Sequence, residues 1–119
     1  MNTAVILEPE QELTNLCGTV RNLISKREYN ECFSLICHAM SLFPDAPQPH
    51  NLLGILCEKR GNHACAMRHF RAAYELDPGY IPARKNLETY GTFFSGGKSV
   101  YGDEDTTVKQ NNITGRESK

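Results

Sequence analysis

Apolar residues recur at spacings of three and four along most of this chain, the period of one face of an α-helix. Leu13, Leu16, Val20, Leu23 and Ile24 share one side of a stretch from Glu10 to about Lys26. Cys32, Phe33, Ile36, Cys37, Met40 and Phe43 follow from Asn30, and Pro44 stops that pattern. Between Pro47 and Tyr80 two more patterns are joined by a short turn. Leu52, Leu53, Ile55 and Leu56 crowd one side of the first, and Ala66, Phe70, Ala73 and Tyr74 recur through the second. A fifth pattern runs from Ile81 to about Ser95. Pro82 sits at its opening, where the missing amide hydrogen would be unpaired in any case. Ser95-Gly96-Gly97 breaks it, and from there to Lys119 the chain is polar and aperiodic.

The stretch from Pro47 to Tyr80 organises the rest. Gly54 lies among its leucines, where it costs about 1 kcal/mol of helix propensity. A helix that keeps a glycine there needs its backbone close to a neighbour. Gly61 and Asn62 supply a helix-ending glycine and then a capping side chain. Asp77-Pro78-Gly79 ends the second helix. With Leu53-Gly54, Ala66, Phe70, Ala73 and Pro78 in this order, the stretch resembles a tetratricopeptide repeat, a helix–turn–helix unit of 34 residues. It departs from that pattern at His50, where a large aromatic is usual, and at Cys57 and His63, where tyrosines are usual.

A shift of one period tests for duplication. Moving forward, Pro44 falls on Pro78, Ala39 on Ala73, Cys32 on Ala66 and Ile36 on Phe70. Thr19-Val20 stand where the Leu-Gly pair would be, so residues 13–46 form a degenerate first repeat. In the fifth pattern Leu87 matches the leucine, and Glu88 replaces the glycine, as expected if nothing packs closely beyond it. The fold expected is all-α: a short superhelix of antiparallel hairpins with two repeats and a capping helix, five helices in all. Its parts are a lead (1–9), a helical domain (10–95, with repeats 13–46 and 47–80 and a cap 81–95) and a flexible, disordered polar tail (96–119). Stacked repeats require such a cap.

Composition adds bounds. The 119 residues make at most one domain, and a net charge of −1 provides no global field to recruit nucleic acid or a membrane. The middle is locally basic and both ends are acidic, which reads as solvated helix surface. Five cysteines form no disulfide framework and fall inside apolar patterns, as reduced thiols do in a cytoplasmic protein. Residues 1–6 carry no secretion signal, and no apolar run approaches the ~18 residues of a membrane span.

The resemblance implies a concave groove walled by the first helix of each pair. By family position that wall presents Thr14, Cys17, Arg21 and Ile24, then Gln48, Asn51, Ile55, Glu58 and Lys59, then Lys85, Thr89 and Thr92. Such a groove accepts an extended peptide or a partner's helix, and Asn51, Arg21 and Lys85 are donors suited to its backbone or its acidic side chains. The expected function is a non-catalytic protein–protein interaction module. The alternative is self-association, a homodimer formed through the last helix by Phe93 and Phe94. Cys57, His63 and Cys65 lack the tight pair spacing of a zinc site, so neither metal nor cofactor is expected. Ser95-Gly96-Gly97-Lys98-Ser99 lacks the first glycine and the strand context of a phosphate loop. No nucleophile–base arrangement can be assembled, so no enzymatic activity is expected.

Overall fold

A computed structural model describes residues 7–91 and 98–103 of the chain. Proline opens three of its five helices: α1 (Pro9–Ser25), α3 (Pro47–Lys59) and α5 (Ile81–Tyr90). The other two are α2 (Tyr29–Leu42) and α4 (His63–Leu76). Among the described residues there is no strand. No helix there is long and apolar enough to cross a membrane. Links of three or four residues leave each helix no course but to turn back on the one before it. The turn between α3 and α4 follows the chemistry of its residues. Gly61 takes a positive φ of 83°, and the Asn62 side chain accepts the Cys65 amide at 3.1 Å.

The backbone repeats with the sequence period of 34 residues. In the first turn Arg27 donates to Ile24 O and Glu28 to Leu23 O; one period later Gly61 donates to Glu58 O and Asn62 to Cys57 O. Phe43 to Ala39 O recurs as Asp77 to Ala73 O, and Ala46 to Phe43 O as Tyr80 to Asp77 O. Arg27 therefore holds a left-handed φ of 60° where the second unit has glycine. The bounds of α2 and α4 are likewise one period apart.

Packing centres on α3, which touches each of the other four helices. The odd-numbered helices form a row, α1 against α3 and α3 against α5, while α2 and α4 stay apart from one another. Leu52, Leu53, Ile55 and Leu56 join Val20, Ile36, Ala66 and Phe70 in one buried cluster. The ring of Phe70 lies on the bare backbone of Gly54. A Cβ built there would meet Phe70 Cε1 at 2.5 Å and Cδ1 at 2.6 Å. On its other side Phe70 stacks on Tyr90 of α5, with centroids 5.8 Å apart. Arg60 ties the two hairpins together from outside, donating to Asn30 Oδ1 at 3.0 Å and lying over the Tyr29 ring.

Some expectations need correcting. Tyr74 is 40% exposed and Phe33 45% exposed, since each lies off the buried stripe of its helix. The last helix ends at Tyr90, short of residue 95, and residues 92–97 lie outside the described part. Residues 98–103 are not a disordered tail, because they return to the helical domain and Val100 is only 2% exposed.

The glycine contact gives a signed prediction. Alanine normally stabilises a helix by about 1 kcal/mol over glycine. At Gly18, where an added Cβ meets nothing within 4 Å, Gly18→Ala should raise the urea midpoint. Gly54→Ala should lower it by the equivalent of about 1–3 kcal/mol, because the fully buried Phe70 ring cannot swing aside. Equal responses at the two sites would refute the close approach.

Candidate functional site

The wall expected from the sequence is partly assembled, and it holds the chain's own residues 98–103. Asn51 of α3 and Asn86 of α5 are fully buried polar residues. Buried amides of this kind must be hydrogen-bonded, and these are. Val100 N donates to Asn86 Oδ1 at 2.8 Å, and Val100 O accepts from Asn86 Nδ2 at 2.9 Å. Asn51 Nδ2 donates to the same carbonyl at 3.0 Å, while Asn51 Oδ1 accepts from Asn86 Nδ2 at 2.8 Å. One carboxamide thus pairs with both backbone groups of a single residue, as a neighbouring strand would, and the second carboxamide braces the first.

The flanking residues follow the same row of helices. Ser99 Oγ bonds to Tyr90 Oη on α5. The Tyr101 ring lies 5.7 Å from the guanidinium carbon of Arg21 on α1 and packs on the core cluster. Gly102 passes Cys17 of α1 so closely that a Cβ would sit 3.2 Å from both its Cβ and its Sγ. Beyond it an open cleft of about 160 Å³ is lined by Thr14, Cys17, Arg21, Gln48, Tyr80, Gly102 and Asp103. Gln48 Oε1 is buried there with no hydrogen-bond partner among the described residues.

Of the residues singled out from the sequence, Cys17, Arg21, Gln48 and Asn51 meet around this segment or its cleft. Ile55 is fully buried in the core. Glu58 turns to His63 across the α3–α4 turn, and Lys59 is exposed. Thr89 and Lys85 are half-buried on α5, and the amide that bonds Val100 is Asn86, one residue beyond Lys85. Phe93 and Phe94 lie outside the described residues, as does Thr92. Asn86 escaped the sequence reading because a shift of one period from Asn51 lands on Lys85. The available signal was an asparagine one position from a wall residue in a helix otherwise short of amides.

A second constellation lies along the α3–α4 contact. Cys57 Sγ is 3.1 Å from Cys65 Sγ, and these two with His69 bring three ligand-type atoms within 4.8 Å of one another. His63, the histidine considered with those cysteines from the sequence, faces Glu58 instead. None of the five cysteines is in a disulfide. Burial, followed by the hydrogen bond to Cys65, pushes the Cys57 thiol up to about 12, and burial pushes Cys32 up to about 11. Both are therefore thiols at neutral pH and poor nucleophiles. Next to this cluster His50 stacks on His69, with centroids 5.7 Å apart.

Comparison with protein-family models, with curated proteins and with solved structures finds no match to this chain.

The histidine stack makes stability depend on pH. Burial lowers the pKa of both rings, and His50 and Arg68 lower His69 further. The unfolded chain then binds more protons than the folded one below about 6.5, the ordinary histidine value. The contribution is complete above that pH and is lost as the pH falls from there towards the folded values. Melting temperature should fall between about pH 7.5 and about pH 5, and less steeply for His50→Gln/His69→Gln. Parallel pH profiles for the variant and the parent would contradict this.

Proposed function

We propose that this chain is a short repeat array of the tetratricopeptide kind that captures an extended segment of another protein along the row of α1, α3 and α5. The observation that carries the reading is the pair of buried amides: Asn51 and Asn86 bond to both backbone groups of Val100. Such a clamp grips the backbone and demands an extended segment, while the burial of the gripped residue favours an apolar side chain there. The repeat assignment draws on the backbone bonds that recur at the family's period and on the Gly54–Phe70 contact. Association is non-catalytic, driven by apolar burial and oriented by hydrogen bonds. Five cysteines with no disulfide among them fit a reducing compartment, and the cytoplasm is the proposed setting.

The test is selection of peptides from a random display library on the full-length Val100→Asp chain, whose own segment no longer suits the buried seat. Recovered peptides should lose about tenfold or more in affinity on the same chain carrying Asn51→Ala, the cost of one orphaned buried bond. Far-UV circular dichroism should remain unchanged. If no recovered peptide depends on Asn51, the groove assignment fails.

A further inference from the structure

Empty, the amide clamp is a poor structure. Asn86 Oδ1 and Asn51 Nδ2 would face the groove without the backbone partners that Val100 gives them. Residues 99–103 satisfy them by running across all three odd-numbered helices in order. Ser99 meets α5, Val100 meets α5 and α3, and Tyr101 and Gly102 meet α1. The seating is selective at several points. Val100 is buried. An aromatic ring lies by Arg21, and the next position has no room for a side chain beside Cys17. Asp103 then enters the cleft that holds Arg21 and Gln48.

Resting on the groove reading above, we propose that Ser99-Val100-Tyr101-Gly102-Asp103 is the groove's resident competitor. The partner then carries an extended segment of the same chemistry: a small hydroxyl residue, a branched apolar residue, an aromatic, a glycine and an acid. The competitor is covalently tethered to the end of α5, and short tethers give effective concentrations on the order of millimolar. A free peptide must outcompete that, so its apparent affinity is its intrinsic affinity multiplied by the fraction of time the seat is empty.

The probe is a fluorescent synthetic peptide of the sequence Gly-Lys-Ser-Val-Tyr-Gly-Asp-Glu, read by polarisation against the full chain. It should bind Val100→Asp at least about tenfold more tightly than the parent, given that tether. Peptides with aspartate for valine, or valine for glycine, should lose that binding. If Val100→Asp does not fold, Gly102→Val, which crowds only Cys17, takes its place with the same peptides. Equal binding to parent and variant overturns the competitor assignment. No binding to a folded variant that still captures other Asn51-dependent library peptides overturns the ligand chemistry and leaves the groove standing. No binding of either kind removes both. A parent that is a dimer in light scattering, and becomes a monomer on Val100→Asp, puts the segment in a second copy's groove and overturns the intramolecular form.

Discussion

The contact between the Phe70 ring and the bare backbone of Gly54 sets the geometry of everything around it. Without a Cβ at Gly54, α4 approaches α3 to ring-contact distance, and the helix left at the centre touches all four others. The effect passes outward through a few residues. Phe70 stacks on Tyr90, Tyr90 fixes the end of α5 and bonds to Ser99, and Ser99 precedes the residue held by the amide clamp. Packing at the core glycine is thus coupled to the position of Ser99 and Val100 through one aromatic pair. Interiors at crystal-like density transmit such displacements because no space is left to absorb them.

The pair of buried amides answers a different constraint. Two carboxamides buried between helices are costly unless every donor and acceptor is used. Asn86 makes three bonds there: its oxygen takes the Val100 amide, and its nitrogen serves both the Val100 carbonyl and Asn51. A lysine in its place would supply donors but no acceptor and would leave the amide hydrogen of Val100 unpaired. The choice of asparagine therefore specifies backbone in the extended conformation, since only there do the N–H and C=O of one residue point to the same side. Arg21 and the Cys17–Gly102 contact add what the amides cannot, a preference for particular side chains at two following positions.

Much of the helical domain was legible in the sequence. Apolar periodicity marked all five helices, Pro82 marked the start of α5, and Gly61 and Asn62 marked the turn with its cap. Gly54 announced a close neighbour, and Phe70 is that neighbour. The surroundings of residues 98–103 were half legible. Cys17, Arg21, Gln48 and Asn51 could be placed by period, whereas Asn86 could not, because α5 presents its amide one residue away from the position that repeats. Least visible was the segment at residues 98–103. A segment gripped through its backbone leaves no periodicity, and six residues in a polar region carry only Val100 and Tyr101 as apolar marks. Tertiary contacts ordered what composition alone assigned to solvent.

One position, followed through the array, shows how local chemistry and global packing are tied. Val20, Gly54 and Glu88 stand one period apart on α1, α3 and α5. In α3 the glycine lets a phenylalanine ring lie against the backbone. In α1 Val20 is fully buried, and Ile36, one period before Phe70, is fully buried in the same cluster. Two branched aliphatics there fill the space that a ring over bare backbone fills in the second unit, so the hairpin keeps its form with a different division of volume. In α5 no further hairpin is packed behind the position among the described residues, and Glu88 is exposed. The same backbone site thus takes a medium apolar side chain, none, or a charge, according to what lies across from it. Arg27 makes the complementary point: it holds the left-handed turn that glycine holds one period later, at a conformational cost that the two hairpins' shared hydrogen bonds must offset. What repeats in this chain is the backbone register, and side-chain identity is free to drift wherever the local volume still closes.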